Sequence, residues 1–407
     1  MAKAKSKKNE PISFTWSGLD KGRKKASGEI EATNIQAARL LLRRQGIKVK
    51  KLRKTSSGLS FGQTVKVKDI VFTTRQLATM IEAGIPVAQS LRGIATGHDN
   101  PAVKSLLNRI RGDIEAGTNL SVSLKKHPQH FNRLYTSLVS VGEESGTLDN
   151  LMNNIAGYLE KMENIKSKVK SALFYPALVI IVAIVIVAVL LIVVIPEFET
   201  LFSDFGADLP SLTKWVVSLS HSLQERWYIY LGGAMVAGFL FTYSYKRSTK
   251  MQHFLDRLIL RFPIFGPIIR KAVLARIART LAIMFGAGIP LVDALETVAN
   301  AAGNRVYRDG ILHVRREVST GRTLENSMAE TKLFPGMMLQ MVATGEEAGE
   351  LETMLGKVAD FFENEVDNAV AVISSLIEPL LIIVLGIIVG TIVIAMYLPI
   401  FKLGAVF

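Results

Sequence analysis

The main pattern along the chain is a set of long apolar runs separated by polar, basic segments. Residues 173–195 form 23 positions without a charge, and a helix of that length crosses the roughly 30 Å hydrocarbon core of a bilayer. Residues 380–398 repeat the pattern. Residues 227–245 form a third uncharged stretch with aromatic residues at both ends, which is typical of membrane interfaces. We predict three transmembrane helices; for the third, an interfacial helix is the alternative.

The charges beside these runs predict their orientation. Cations cluster before the first run and after the middle one, whereas residues 196–226 hold two and the last nine residues hold one. The clustered cations are Lys161, Lys166, Lys168, Lys170, Lys246, Arg247, Lys250, Arg257 and Arg261. By the positive-inside rule the N-terminus and residues 246–375 are cytoplasmic, while residues 196–226 and the C-terminus are periplasmic in a bacterial inner membrane. No apolar signal-peptide core follows the lysine-rich N-terminus.

The two cytoplasmic segments are internal copies. Residues 75–86 match residues 279–290 at eight of twelve positions, and residues 142–148 match residues 345–351 at five of seven. The register continues into the apolar runs, where Pro176 aligns with Pro379 and Pro196 with Pro399. We therefore predict a duplication of one unit, a cytoplasmic helical bundle joined to a span.

Each bundle is predicted to share a long helix with its span. Apolar residues at three-four spacing run from Leu148 to Val169, and no helix breaker follows before Pro176. A second stripe from Leu351 to Val366 leads to Pro379 in the same way. A tilt of the bundle would then reach the bilayer through a stiff rod.

The first 60 residues differ from the rest, with sixteen Lys and Arg against four Asp and Glu. Here we predict short strands at 12–16, 26–32 and 47–52, a turn near Asp20–Gly22 and a helix at 34–45. The fold class is thus an all-α membrane protein with two duplicated cytoplasmic helical bundles, three transmembrane helices and a small basic α+β N-terminal domain. The predicted boundaries are 1–54 (basic domain), 55–67 (linker), 68–172 (repeat 1), 173–195 (span), 196–226 (periplasmic loop), 227–245 (span), 246–375 (repeat 2), 376–398 (span) and 399–407 (tail).

Enzyme chemistry has no signal in this sequence. The chain has no cysteine, which excludes disulfides, cysteine-ligated metals and thiol catalysis. It has no Gly-Lys-Ser/Thr triplet, so it is not a P-loop ATPase. His127 and His130 are separated by Pro128 and have no carboxylate beside them, so they do not indicate a metal site. We expect no catalytic, cofactor-binding or metal-binding residues, and no cofactor.

The candidate functional residues lie in two Gly-Glu-Glu-x-Gly motifs and the last span. The motif residues are Gly142, Glu143, Glu144, Gly345, Glu346 and Glu347. Their carboxylates either cap the positive end of the following long helix or form a coupling or subunit interface, with or without a cation. Glu378, beside Pro379, is a carboxylate at the membrane interface or a functional charge within it. Gly386 and Gly390 form a GxxxG pattern that permits close helix packing, within the chain or between copies.

These motifs together resemble one family. The chain resembles the general secretion pathway F family. The similarity lies in Ala-Gly-Ile-Pro at 83–86 and 287–290, the two Gly-Glu-Glu-x-Gly motifs, residues 378–381 and residues 396–401. Members of this family are inner-membrane platform proteins of type IV pilus assembly and type II secretion. The resemblance covers nearly the whole chain, and the Ser13-Phe-Thr-Trp start and residues 396–407 are more similar to the pilus branch, the PilC proteins, than to the secretion branch.

The resemblance implies a non-enzymatic platform that couples a hexameric pilus assembly or retraction ATPase to pilin subunits entering or leaving the pilus base. It also implies other inner-membrane alignment proteins as partners and a homodimer or small homo-oligomer. A type II secretion platform is the alternative. Two other classes, a small-molecule transporter and a membrane-tethered nucleic-acid-binding protein, are disfavoured. The spans lack the ionisable groups that a solute pathway would use, and basic residues beside a membrane are expected from anionic lipid alone.

Overall fold

The computed structural model describes residues 12–19, 25–32, 34–44, 46–54, 64–204, 210–262 and 265–404. The chain divides into two compact units, Met1–Thr64 and Val65–Phe407. Three predicted features lie wholly or partly outside the described residues. They are the turn at Asp20–Gly22, residues 55–63 of the linker and residues 405–407 of the tail.

The first unit contains a three-stranded antiparallel sheet and one helix. The strands are β1 (Ile12–Leu19), β2 (Lys25–Ala32) and β3 (Lys48–Lys54), and the helix α1 (Ile35–Arg44) lies between β2 and β3 in sequence. The order in the sheet is β2-β1-β3. Ala38 and Leu42, four residues apart on α1, are fully buried, which is the spacing of one helix face.

The second unit begins with six helices of the first repeat. They are α2 (Val67–Glu82), α3 (Val87–Gly97), α4 (Pro101–Glu115), α5 (Leu120–Lys125), α6 (Arg133–Ser145) and α7 (Leu148–Val189). Gly84 ends the turn after α2 with φ +78°, a conformation that glycine adopts without strain. The side chain of Asn100 caps α4 by accepting the N–H of Ala102 at 3.0 Å.

Three further helices connect the repeats. A π-helical turn, Leu190–Val194, follows α7 and leads into α8 (Ile195–Asp204); α9 (Ser211–Arg247) and α10 (Thr249–Arg261) come next. The π-helical turn immediately precedes Pro196, which has no N–H to donate and whose ring crowds the preceding turn. Widening of the helix at this point accommodates the proline without ending the helix.

The second repeat has the same order of six helices as the first. They are α11 (Phe265–Gly286), α12 (Leu291–Ala301), α13 (Arg305–Ser319), α14 (Leu324–Glu330), α15 (Gly336–Ala348) and α16 (Leu351–Gly404). The predicted duplication is confirmed. The two bundles share one continuous hydrophobic core, to which the first contributes Leu138 and Met152 and the second Leu281 and Val358.

Two helical runs, Leu148–Thr200 and Leu351–Pro399, are long and apolar enough to cross a membrane. Each starts inside a bundle and continues into the predicted span, so the prediction of helices shared between bundle and span is confirmed. The remaining predicted span, residues 227–245, lies within α9, and its large side chains are exposed.

The connecting segments differ from the sequence-based boundaries. The predicted loop 196–226 is largely helical, formed by α8 and the first half of α9. The start of the predicted tail is also helical, because α16 passes through Pro399 and ends at Gly404. Packing stabilises these helical segments, because a buried apolar cluster joins α9 to the ends of both spans. The cluster consists of Leu191, Ile195, Val216, Val217, Ile392 and Ala395.

Candidate coupling surface

The two glycines of each Gly-Glu-Glu-x-Gly motif have different structural roles. Gly146 and Gly349 end α6 and α15 in the left-handed conformation, with φ of 73° and 72°. The first glycine lets the next helix approach closely, since a Cβ at Gly142 would lie 3.0 Å from the Cα of Leu148. A Cβ at Gly345 would lie 3.1 Å from the Cα of Leu351. The motif therefore builds the tight corner from which each long helix starts.

The first glutamate of each motif caps a short helix of its own repeat. The carboxylate of Glu143 accepts the N–H groups of Leu120 and Ser121, at 2.5 and 2.9 Å, at the start of α5. The carboxylate of Glu346 accepts those of Leu324 and Glu325, at 2.9 and 3.2 Å, at the start of α14. Helix N-termini leave these N–H groups without intrahelical partners, so an anion satisfies them and interacts with the helix dipole.

This geometry corrects the capping interpretation of the motif. The sequence placed the carboxylates at the positive end of the long helices, but the cap is made to α5 and α14, more than twenty residues earlier in the chain. Asn119, the residue directly before α5, makes no side-chain cap hydrogen bond. Glu143 takes over that role because α6 packs against α5.

The second glutamate of each motif remains on the surface. Glu144 and Glu347 are both exposed, and Glu144 accepts a 3.1 Å hydrogen bond from Ser140 Oγ of its own helix. The exposed glutamates of the two motifs are therefore Glu144 and Glu347, whereas Glu143 and Glu346 are half-buried and used internally.

A second pair of equivalent contacts ties the first helix of each bundle to its long helix. Arg75 on α2 forms a bidentate ion pair with Glu160 on α7, at 2.7 and 2.6 Å. Arg279 on α11 pairs likewise with Glu363 on α16, at 2.9 and 3.0 Å, and also contacts Asp360. These pairs were not predicted from the sequence, although Arg75 and Arg279 are the first matched residues of the repeated segment.

The two long helices are joined to each other by lysines of the first repeat. Lys161 lies 3.1 Å from Asp360 and 3.0 Å from Glu363, and Lys168 lies 2.6 Å from Asp367. A buried cluster of Ile165, Ile268 and Val366 packs α7, α11 and α16 together at the same level. In the sequence these lysines indicated only the cytoplasmic side of the membrane; here they also link the repeats.

The ion pairs shift the pKa values of two carboxylates of this network. Hydrogen bonds from Arg75 lower the pKa of Glu160, against an opposing effect of burial. Burial acts to raise the pKa of Asp360, but the hydrogen bonds from Arg279 and Lys161 outweigh it and the pKa lies below its usual value. Glu160 and Asp360 are therefore ionised at neutral pH, as their ion pairs require.

The remaining predicted residues lie apart from this network. Glu378 is exposed on α16, and a Cβ at Gly386 or Gly390 would have no atom of the chain within 4 Å. Burial lowers the pKa of His127 and of His130, and the cation of Arg109 adds to the effect. Within the described ranges, no three acidic or histidine side chains are grouped so that they could hold a metal ion.

Comparison with known proteins decides the family. The model of type II secretion system protein F matches the chain twice, at residues 73–196 and 277–399, and the model of that protein's N-terminal domain matches residues 3–53. The chain belongs to the type II secretion system protein F family. The two matches coincide with the two structural repeats and their long helices. This is a family of membrane platform proteins of pilus and secretion systems and not a known enzyme family.

Relatives with pilus assembly names match over nearly the full length. The type IV pilus assembly protein TapC of Aeromonas hydrophila is 46% identical over 99% of both chains. The type IV pilus assembly protein PilC of Pseudomonas aeruginosa is 48% identical over 90% of this chain and 98% of its own. The type II secretion system protein F of Vibrio cholerae is 32% identical over 96% and 98%. The chain is thus more similar to these pilus relatives than to the secretion relative.

Proposed function

We propose that the protein is the inner-membrane platform of a type IV pilus assembly machine. In this role it passes the motion of a cytoplasmic hexameric ATPase to pilin subunits that enter or leave the pilus base. Other inner-membrane proteins of the machine would hold it in place. The observation that carries the proposal is the continuity of α16, whose 54 residues run from the core of the bundle through the apolar run. Such a helix is about 80 Å long.

Two features of the bundle suit the transmission of force. First, α7 and α16 start at tight corners within one shared hydrophobic core, so a rotation of the bundle turns both helices. Second, Lys161 and Lys168 link the two helices just before the first predicted span. Because helices are stiff and this junction is packed, the outer ends of the spans follow the bundle.

The proposed topology has three spans, with the N-terminus in the cytoplasm and the C-terminus in the periplasm. The middle span is residues 227–245, part of α9. Its large side chains are strongly exposed, such as Val236 at 59% and Phe239 at 69%, and a bilayer is the environment in which a continuous apolar helix surface is stable. The two crossings that lie between the bundles, the first span and the middle span, also return the chain so that both duplicated bundles are on the cytoplasmic side.

We assign the partner contacts to exposed groups. Glu144 and Glu347 occupy equivalent surface positions beside the start of α7 and α16. An ATPase or alignment protein that binds there would move these two long helices. Gly386 and Gly390 leave an open strip on α16 that a second copy or a pilin helix can approach closely. We propose no nucleic acid and no small-molecule substrate.

The proposal is tested by deleting the gene in the native host and scoring surface pili by electron microscopy and protein export in parallel. Loss of pili with normal export is the expected result. Intact pili with failed export would assign the protein to a type II secretion system, the alternative that the 32% identical secretion relative represents. If both processes survive, the platform role is wrong.

A further inference from the structure

The short helix α10 is anchored at the end of α9. Its cap residue Ser248 accepts the N–H of Met251 at 3.3 Å, and Gln252 donates its side-chain amide to the carbonyl of Tyr245 at 2.6 Å. Tyr245 is the last residue of the proposed middle span. The first turn of α10 is therefore fixed where the chain leaves that span, and its 13 residues reach only about 20 Å further.

One face of α10 is docked on the second bundle. Asp256 accepts the N–H of Arg305 at 2.8 Å and so caps α13. His253 Nε2 lies 3.3 Å from the carboxylate of Asp309, also on α13. Leu260 packs against the shared hydrophobic core. This face has protein partners, and the helix is held in a fixed rotation about its axis.

A neighbouring, exposed face of α10 combines large apolar and basic side chains. At three- and four-residue spacing it presents Lys250, Phe254, Arg257, Leu258 and Arg261, all of them exposed. Phe254 is 63% exposed and Leu258 47%. The three cations form no ion pair with any residue in the part of the chain that the structure describes. An apolar stripe flanked by unpaired cations is typical of helices that lie in the interface of an anionic membrane.

We propose that α10 is such an interfacial helix. Phe254 and Leu258 enter the acyl-chain boundary of the cytoplasmic leaflet, and Lys250, Arg257 and Arg261 contact anionic lipid headgroups. The inference rests on the proposed middle span, which places the start of α10 at the membrane surface. Because α10 also caps α13, it attaches the second bundle to the bilayer at a point independent of α16.

Lipid is favoured over a protein occupant by charge and by continuity. The exposed face carries no acidic group, and negative surface potential is a property of the cytoplasmic leaflet as a whole. Only one residue, Ser248, separates the start of α10 from the end of α9 at Arg247. A protein partner would have to reach this face in the narrow space between the bundle and the bilayer.

The absence of cysteine allows a direct test with the full chain. Phe254→Cys, Val236→Cys and Val122→Cys each receive one environment-sensitive fluorophore, and the protein is reconstituted into vesicles containing lipids brominated at a shallow or a deep position. Val236 reports the middle span. Val122, 46% exposed, is the matched aqueous control: Glu143 holds its helix α5 near the start of α7, about 38 Å along the helix from residue 173.

The proposal predicts a blue-shifted label at position 254 that shallow bromines quench severalfold more than the label at position 122. If the label at 236 is quenched by deep bromines and that at 254 is not quenched, the middle span stands and the interfacial helix is wrong. If neither is quenched, the span and the interfacial helix both fail. A blue shift at 254 without lipid quenching would mean that a protein covers this face, which also overturns the proposal.

A second measurement tests the role of charge. Quenching at position 254 is compared between vesicles of phosphatidylethanolamine with phosphatidylglycerol and vesicles of phosphatidylcholine alone. We expect stronger quenching with the anionic lipid, and loss of that difference when Lys250, Arg257 and Arg261 are replaced by Gln. Equal quenching in both lipids for the chain with native cations would exclude headgroup binding by these residues.

Discussion

The side-chain amide of Gln224 donates a hydrogen bond of 2.8 Å to the carbonyl of Ile192, four residues before Pro196. In an α-helix this carbonyl would accept the N–H of residue 196, which proline lacks. The neighbouring carbonyl of Leu191 accepts from Ser220 Oγ. At the equivalent site of the second repeat, four residues before Pro399, the carbonyl of Ala395 accepts from Thr213 Oγ1 at 2.5 Å.

Helix α9 therefore supplies donors to the carbonyls that the prolines leave open in both spans. The first prediction is that Thr213→Val and Gln224→Leu each lower the stability of the protein in detergent, by about 0.6–2 kcal/mol, because each leaves a helix carbonyl without a donor. The change is measured as the shift of the thermal unfolding midpoint.

Ser218→Ala is the matched control for these variants. Ser218 is exposed on the same helix, and its hydroxyl bonds only to the carbonyl of Trp215 of its own helix, at 2.8 Å. Its replacement should leave the midpoint unchanged. Equal midpoints for Thr213→Val, Gln224→Leu and Ser218→Ala would contradict a role of α9 in holding the two spans.

The second prediction separates the two glutamates of each motif. Glu143→Ala and Glu346→Ala should each destabilise the bundle by about 1–2 kcal/mol, because two N–H groups at a helix start lose their acceptor. Glu144→Ala and Glu347→Ala should leave stability unchanged, since both side chains are exposed. Chemical unfolding of the four purified variants decides this.

The surface glutamates are then the ones with which to test coupling. Glu144→Lys and Glu347→Lys should reduce piliation at normal protein level if these positions contact the motor, whereas a variant at Glu143 would confuse loss of the cap with loss of contact. Wild-type pili in both surface variants would remove Glu144 and Glu347 from the proposed interface.

These contacts also show where prediction from the sequence ends. The repeat and the continuous helices shared by bundle and span followed from local patterns: repeated residues and three-four apolar spacing. The helix that Glu143 caps did not, because its partners lie more than twenty residues away and depend on how α6 packs on α5. The same holds for Lys161 and its partners in the other repeat.

The segment between the first two spans was predicted least well. Its position between two spans and its few cations predicted a periplasmic loop, but Val216 and Val217 of α9 are buried against both spans and make this segment helical. Ser220 and Gln224 carry no signal of a special role in the sequence. Their function as donors to Leu191 and Ile192 depends on tertiary packing that a single sequence does not reveal.

The third prediction compares the equivalent arginines of the two repeats. The side chains of Arg279 and Glu363 are each 14% exposed, whereas those of Arg75 and Glu160 are 37% and 38% exposed. Loss of a largely buried ion pair costs more than loss of an exposed one, which contributes about 0–1 kcal/mol, although Lys161 still pairs with Glu363 when Arg279 is removed. Arg279→Ala should therefore be clearly more destabilising than Arg75→Ala. Similar losses for both variants would contradict this ranking.

The same network predicts acid sensitivity. The pKa values of Glu160 and Asp360 are lower in the folded protein than their usual values, so their ion pairs contribute stability above about pH 4, and this stability is lost as the pH falls through the folded-state values. Unfolding midpoints should be level near neutral pH and fall in acid. Asp360→Asn should flatten that fall; an unchanged pH profile in this variant would exclude Asp360 as a contributor.

The fourth prediction concerns the glycines of the last span. Gly386→Leu and Gly390→Leu should leave the fold of the monomer intact, since no atom of the chain lies within 4 Å of a Cβ at either position. If copies pack through this strip, the larger side chain separates them and cross-linking in the membrane falls. Gly238→Leu, an equally open position on α9, is the control; the same loss of cross-linking there would rule out a specific contact.

The last prediction tests whether pilus assembly requires the link between α7 and α16. Lys168 of α7 and Asp367 of α16 meet at 2.6 Å on the exposed side of the junction, next to the packed Ile165 and Val366. Lys168→Glu places two carboxylates together and should push the helices apart at this point, with fewer pili but normal protein level. Restoring an opposite charge with Asp367→Lys in the same chain should recover piliation. Recovery is the decisive result, because it requires attraction between these two side chains rather than a lysine at position 168. Failure of the double variant to recover pili, while both single variants are stable and inserted, would mean that the link between the rods is not used in pilus assembly.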